Sequence, residues 1–385
     1  MRHADATQRL RAVEASNSAA QVTHALDDSS PEVVAAATRR LVELEGERAA
    51  AALRAHLFDV DLTLVADVAR ALRQIGDRGT VDVASAALDD RRSTRRLAAV
   101  RVLGAIADRQ AVESLRHALA DDVAGVRAEA LDALAQTGEY ADANPGLECA
   151  RLLSDPAAHV RIAAVRAVAR LMPHPGPLLA SAAADPDRSV RLAVARHAAS
   201  LPRQAATALL EDADIRVRAT ATEASGMREV SALGVLLSDD PARDVRRAAA
   251  RALGGIRDQR VADLLLPGLR DRDALVRAAV LHALEQLLTR HGTVRRLCRE
   301  LAAPRAEDRR ASLYALARLE AREVATEVSR AARDPDPEVR FALVHTAEAL
   351  FAEPGPLMRY LLADEDQAVR DAAELWLLRA TLAES

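Results

Sequence analysis

The chain has 385 residues, half of them hydrophobic but only 2% aromatic, and its 53 basic residues against 57 acidic ones leave a net charge of −4. Every basic residue is arginine, which excludes the Schiff-base, pyridoxal, phosphate-loop and kinase chemistry that needs a lysine. The apolar content is mostly Ala, Leu and Val, side chains that suit closely spaced helices, and the negative balance argues against holding nucleic acid through the overall field.

From the N-terminus onward one short pattern returns: an Asp, four residues, Val, Arg, then an Ala-rich stretch. It starts as Asp28 with Val33 and Val34, Asp59 with Leu64 and Val65, and Asp90 with Arg95 and Arg96. It continues at Asp121, Asp155, Asp185, Asp212, Asp240 and Asp271, followed by Val126, Val160, Val190, Val217, Val245 and Val276, each with an Arg behind it. Pro304 leads to Arg309 and Arg310, and Asp334 and Asp364 close the series with Val339 and Val369. Twelve copies spaced by 27 to 34 residues predict an array in which each unit buries its apolar face only against its neighbours.

Within a unit the period is helical. Val160, Ala163, Ala164, Ala167, Val168 and Leu171 fall on one stripe, and residues 147–153 form a shorter amphipathic run before it. The Asp-Pro dipeptides at Asp155, Asp185, Asp240 and Asp334 are expected to start the second helix, the carboxylate as N-cap and Pro in the first turn. The unit is therefore helix, turn, helix. Pro-Gly-Pro at residues 175–177 and 354–356 reads as turn chemistry before a short first helix. The longer connection over residues 137–146 offers Tyr140 and Asn144 as loop candidates for a specific contact. Trp376, Leu377, Leu378 and Leu382 in the last helix are expected to cap the array or leave an apolar patch.

The Asp-Pro-x-x-x-Val-Arg-x-Ala-Ala pattern with its period near 30 resembles HEAT repeats, of the short type also found in phycobilisome lyases, over residues 20–382. The resemblance implies an all-α, right-handed solenoid of about twelve two-helix repeats. It divides into divergent repeats over 1–75, regular ones over 76–350 and a capping repeat over 351–385. It also implies that the repeated Asp and Arg, such as Asp155, Asp185, Asp271 and Asp364 with Arg161, Arg191, Arg277 and Arg370, form a structural ladder between adjacent units. The first two units place Val34 and Val65 where that Arg belongs, and the tenth has Ala303-Pro304 for Asp-Pro.

Counting Val as position zero, positions two, six and nine of the second helix point away from the stripe; in HEAT proteins this side lines the concave surface. Position six reads Arg39, Arg70, Arg101, Asp132, Arg166, Arg196, Glu223, Arg251, His282, Ala315, His345 and Leu375. Position two includes Leu97, Ile162, Leu192 and Phe341, and position nine is largely Gly or Ala. This predicts a groove with a guanidinium series, apolar walls and room at its floor, suited to an acidic amphipathic segment of a partner protein. The bland alternative is that these arginines solvate the face and pair with acids on adjoining helices.

No His pair at i and i+4, no Cys-x-x-Cys and no glycine-rich nucleotide loop occurs, so neither metal nor cofactor is expected. Gly-x-Ser-x-Gly is missing too, and no carboxylate pair sits in a recognisable pocket. Cys149 and Cys298 read as small buried hydrophobes and His159 as a surface residue. With no apolar run near 18 residues and no apolar signal core, the chain reads as cytoplasmic, without a membrane span. The expected function is a non-enzymatic scaffold or adaptor for another protein. The alternatives are a nucleic-acid-binding HEAT-like module and a tetrapyrrole lyase-like enzyme.

Overall fold

Valine at position zero, alanines at three and four and a further apolar pair a turn later give each unit a wide apolar face, and each such segment folds as a helix that buries it. The computed structural model describes residues 5–58, 62–137 and 144–383, which form helices and turns with no strand. The chain divides into two compact units, Met1–Pro202 and Arg203–Ser385.

In the first unit the second helices of repeats 1 to 6 are Pro31–Glu45, Val65–Gln74, Ser93–Ile106, Ala124–Thr137, Ala158–Leu171 and Arg188–Ala195. In the second unit those of repeats 7 to 12 begin at Ile215, Arg243, Ala274, Ala306, Pro337 and Gln367. Each lies against the second helix of the next repeat in its unit and against its own shorter first helix, the α-solenoid arrangement. The core is correspondingly a strip of Leu, Val and Ala. Val160, Ala163, Ala164, Ala167 and Val168 are all buried, as the period requires, while Leu171 is only half-buried.

The ladder of acid and guanidinium is present in both units. Arg96 pairs with Asp121, Arg127 with Asp155 and Arg161 with Asp185 in the first. Arg218 with Asp240, Arg246 with Asp271, Arg309 with Asp334 and Arg340 with Asp364 follow in the second. The geometry repeats. Arg161 donates from Nε and Nη2 to the two oxygens of Asp185, both at 2.7 Å, and from Nη1 to the carbonyls of Asp155 at 2.9 Å and Pro156 at 3.2 Å. One side chain thus closes the turn of its own repeat and grips the turn of the next. Burial pushes the carboxyls of Asp155, Asp185, Asp334 and Asp364 up, but the guanidinium and the backbone N–H two residues on outweigh it, and all four lie below the ordinary carboxylate range.

The structure departs from the sequence expectations in its caps, in one register and at position nine. The ladder Asp is not the N-cap: Asp185 accepts from the N–H of Asp187 within the turn, and Asp187 is the residue that caps the helix, accepting from Ser189. Asp336 does the same two residues after Asp334, and Pro156, Pro186, Pro241 and Pro335 accordingly precede the cap rather than standing in the first turn. The first acid is committed to the arginine, so the cap position falls two residues later, where Asp187 and Asp336 serve the helix but Ala157 and Ala242 offer no side-chain cap. Next, the register of repeat 10 lies one residue earlier, because Arg309 and not Arg310 joins the ladder and reaches back to the carbonyl of Ala303. Position six of that repeat is then the exposed Tyr314, and Ala315 is buried. Finally, position nine offers no room. A Cβ on Gly254 would lie 2.6 Å from Cβ of Ala283, and one on Gly104 3.0 Å from Cβ of Ala133, so these glycines admit the neighbouring helix.

Residues before the first copy also take part. Helix Ala6–Ala15 packs against Pro31–Glu45, and its Arg9 donates to both oxygens of Asp28 at 2.7 and 3.0 Å, so half a repeat precedes repeat 1. Val34 and Val65 at the ladder position are buried. Pro175 and Pro354 stand at the N-caps of short first helices, and a Cβ on Gly176 would come within 1.8 Å of the Ser200 carbonyl oxygen, so only glycine fits that turn.

Candidate functional site

Because second helices lie side by side within a unit, their position-six side chains form a row. In the first unit this row is Arg39, Arg70, Arg101, Asp132, Arg166 and Arg196. Most of its charge is already used. Arg166 grips both oxygens of Asp132 in the preceding repeat at 2.7 and 2.9 Å. Arg101 reaches Glu129 of the following repeat at 3.0 Å and the carbonyl of Leu62 at 2.9 Å, and Arg70 pairs with Asp67 one turn before it. Arg39 and Arg196 are exposed and make no ion pair among the described residues. Leu97, Ile162 and Leu192 at position two are half-buried beside the row.

The row of the second unit has another chemistry: Glu223, Arg251, His282, Tyr314, His345 and Leu375. Arg251 faces Glu223 at 3.7 Å, and the ring of His282 lies 3.1 Å from the amide nitrogen of Gln286. His345 meets the half-buried Phe341 edge to face at 4.4 Å between ring centres. Tyr314 and Phe341 line a groove of about 670 Å³ with Leu275, Leu281, Arg277 and Arg318. Asp132 and Glu223, which interrupt the arginine series in sequence, are thus the acids that neutralise the arginine of the next repeat. That pairing is invisible without knowing which position-six side chains face one another across the seam between helices.

Two more residues escape the sequence reading. Tyr314 is hidden by the register of repeat 10, although Arg309 standing six residues after Ala303 is a usable signal. Arg277, expected in the ladder, donates from Nη1 to the carbonyls of Asp271 and Arg272 but meets no carboxylate among the described residues, because Ala303 stands where the acid of the next repeat belongs.

Of the loop candidates, Tyr140 lies outside the described residues, and Asn144 is spent locally: its amide nitrogen donates to the Leu171 carbonyl at 2.6 Å and its oxygen accepts from Gly146. His159 is exposed. Burial pushes the Cys149 thiol up to about 12 and also raises Cys298, which suits packing and opposes nucleophilic use. Trp376 packs partly into the core while Leu375, Leu378 and Leu382 stay exposed as an apolar margin. Among the described residues no helix is long and apolar enough to cross a membrane, and no three acidic, His or Cys side chains are gathered to hold a metal ion.

HEAT repeats match residues 65–135, 80–169 and 230–297. Among solved structures, YibA of Escherichia coli is 19% identical over 74% of this chain and 98% of that one, with a TM-score of 0.44. An engineered protein is 18% identical over 94% and 98%, with a TM-score of 0.40. Human deoxyhypusine hydroxylase, in complex with glycerol, is 22% identical over 80% and 98%, with a TM-score of 0.28. No curated protein matches the chain.

Proposed function

The chain carries HEAT repeats, and from that premise we propose that it is a non-enzymatic scaffold, located in the cytoplasm, that holds another protein against the position-six face of its second helices. The observation that carries this reading is the row itself. Each repeat presents one side chain on the same face, and the pairings found there leave Arg39 and Arg196 open in the first unit while the second offers Tyr314, Phe341 and Leu375. Such a surface binds through many small contacts, with the open guanidinium groups favouring carboxylates and the half-buried Leu97, Ile162 and Leu192 taking apolar side chains. Arg70, Arg101, Arg166 and Arg251 belong to this face through their paired forms, which a partner acid could share but not claim alone; His282 and His345 border it in the second unit.

The test is affinity capture from the native host with the wild-type chain and with Arg39→Glu and Arg196→Glu combined. Loss of a specific partner, and weakening of wild-type binding by salt, is the expected result. Unchanged capture by the double variant refutes the placement, and retention of labelled DNA duplex at physiological salt in place of a protein refutes the class.

A further inference from the structure

At each intact junction of the ladder the guanidinium divides its donors: Nη1 serves the carbonyls of its own turn, while Nε and Nη2 serve the next repeat's aspartate. Where Val34 or Val65 replaces the arginine, that half of the device is simply absent. Arg277 is different. Its Nη1 donates to the carbonyls of Asp271 at 2.7 Å and Arg272 at 3.3 Å, the same anchorage that Arg161 and Arg340 have, so the group is held in the ladder orientation with no hydrogen-bond partner on its other edge among the described residues.

Of the nearby acids, three are taken. Asp271 pairs with Arg246, Asp308 with Arg270 at 3.1 Å and Glu338 with Arg310 at 3.0 Å. Glu307 lines the same groove, and among the described residues it has no cation partner while two arginines there, Arg277 and Arg318, have no acid partner and outweigh it. The groove beside Arg277 is walled by Leu275, 54% exposed, Tyr314, 45% exposed, and the half-buried Phe341. A fixed fork of donors next to an unoccupied apolar wall is what recognises a carboxylate with a hydrophobic neighbour, since the orienting entropy is already spent.

We propose that this half-ladder receives an aspartate or glutamate side chain from a partner protein, completing the junction between repeats 9 and 10 in trans, with the adjoining apolar side chain of that segment lying against Leu275, Tyr314 and Phe341. The inference rests on the scaffold reading above and names the chemistry of one contact within it.

The probe is the blocked tetrapeptide acetyl-Asp-Leu-Phe-Ala-amide, with its Asn-Leu-Phe-Ala counterpart and sodium acetate as controls, titrated into the full-length chain while the Nε–H resonance of Arg277 is followed. A saturable shift with the Asp peptide, at least about tenfold weaker with the Asn peptide, is expected. In Ala303→Asp the chain supplies its own carboxylate, so the melting temperature should rise and the shift should vanish. Arg277→Gln, which leaves the other junctions intact, should lose peptide binding without lowering the melting temperature by more than a degree or two. Equal affinity for the Asp and Asn peptides, or undiminished binding by Ala303→Asp, overturns the proposal. Acetate moving Arg277 as strongly as the peptide reduces the site to a simple anion site and overturns it as well. Capture that depends on Arg39 and Arg196, with no peptide response at Arg277, removes this inference and leaves the scaffold standing; a peptide response with no partner captured does the reverse.

Discussion

Replacing Arg161 by methionine keeps the aliphatic length of the side chain and deletes four hydrogen bonds, two to Asp185 and two to the carbonyls of Asp155 and Pro156. It leaves behind a carboxylate whose side chain is only 7% exposed. Stranding one member of a buried pair costs about 3–5 kcal/mol. Asp185 retains the N–H of Asp187 at 2.8 Å, which places the expectation at the low end, about 3 kcal/mol. An array unfolds repeat by repeat more readily than all at once. The suitable assay is therefore native-state hydrogen exchange, in which amides of the second helices Ala158–Leu171 and Arg188–Ala195 should open about a hundred times more often. The control is Arg260→Met. Arg260 binds Asp258 at 2.8 Å but is 91% exposed, so water screens the pair and its loss should leave the exchange of the neighbouring helix amides unchanged. Combining Arg161→Met with Asp185→Asn should recover about 1–3 kcal/mol of the summed costs. If Arg161→Met costs no more than Arg260→Met, or if the double variant is additive, the ladder does not hold the turns together as argued.

Acid should act on the same device. The folded pKa values of Asp155, Asp185, Asp334 and Asp364 lie below the unfolded value of about 3.9, so their contribution is complete above that pH and is lost as pH falls through the lower folded values. Melting temperature measured across pH should drop below about pH 4, with a smaller drop in Asp185→Asn. Gly176→Ala forces a Cβ against the Ser200 carbonyl and should lower stability by about 2–3 kcal/mol in urea titration, whereas Gly125→Ala, with open space around it, should not. Cys149, raised to about 12 and fully buried, should resist thiol reagents in the native state at pH 8 and react at the unfolding rate.

The repeat was legible because each junction spends two chemically distinctive residues, an Asp and an Arg, at constant spacing. Where one is missing the reading slips: Ala303-Pro304 allowed a register one residue late, which hid Tyr314 and put the buried Ala315 in its place. Helix Ala6–Ala15, with Asp5 at its N-cap, carries no copy of the Asp-x4-Val-Arg pattern, so only the pairing of Arg9 with Asp28 reveals it as half a repeat. Two acids stand close together in turns such as Asp185-Pro186-Asp187, and sequence alone offers no means of telling the ladder acid from the cap. That the arginines of the outward face could pair with acids on adjoining helices was legible, but not which ones do, because Arg101 and Arg166 meet acids 28 and 34 residues away in sequence.

The missing acid of repeat 10 also bears on how the second unit would yield under load. In a one-dimensional row each link carries the full tension, so the weakest link sets the yield point. Between repeats 9 and 10 the clasp at Arg277 is open, and the ion pair of Arg270 with Asp308 crosses the same line in a more exposed position. Stretched end to end, the second unit should part there first, and anything that closes the clasp would move the fracture elsewhere.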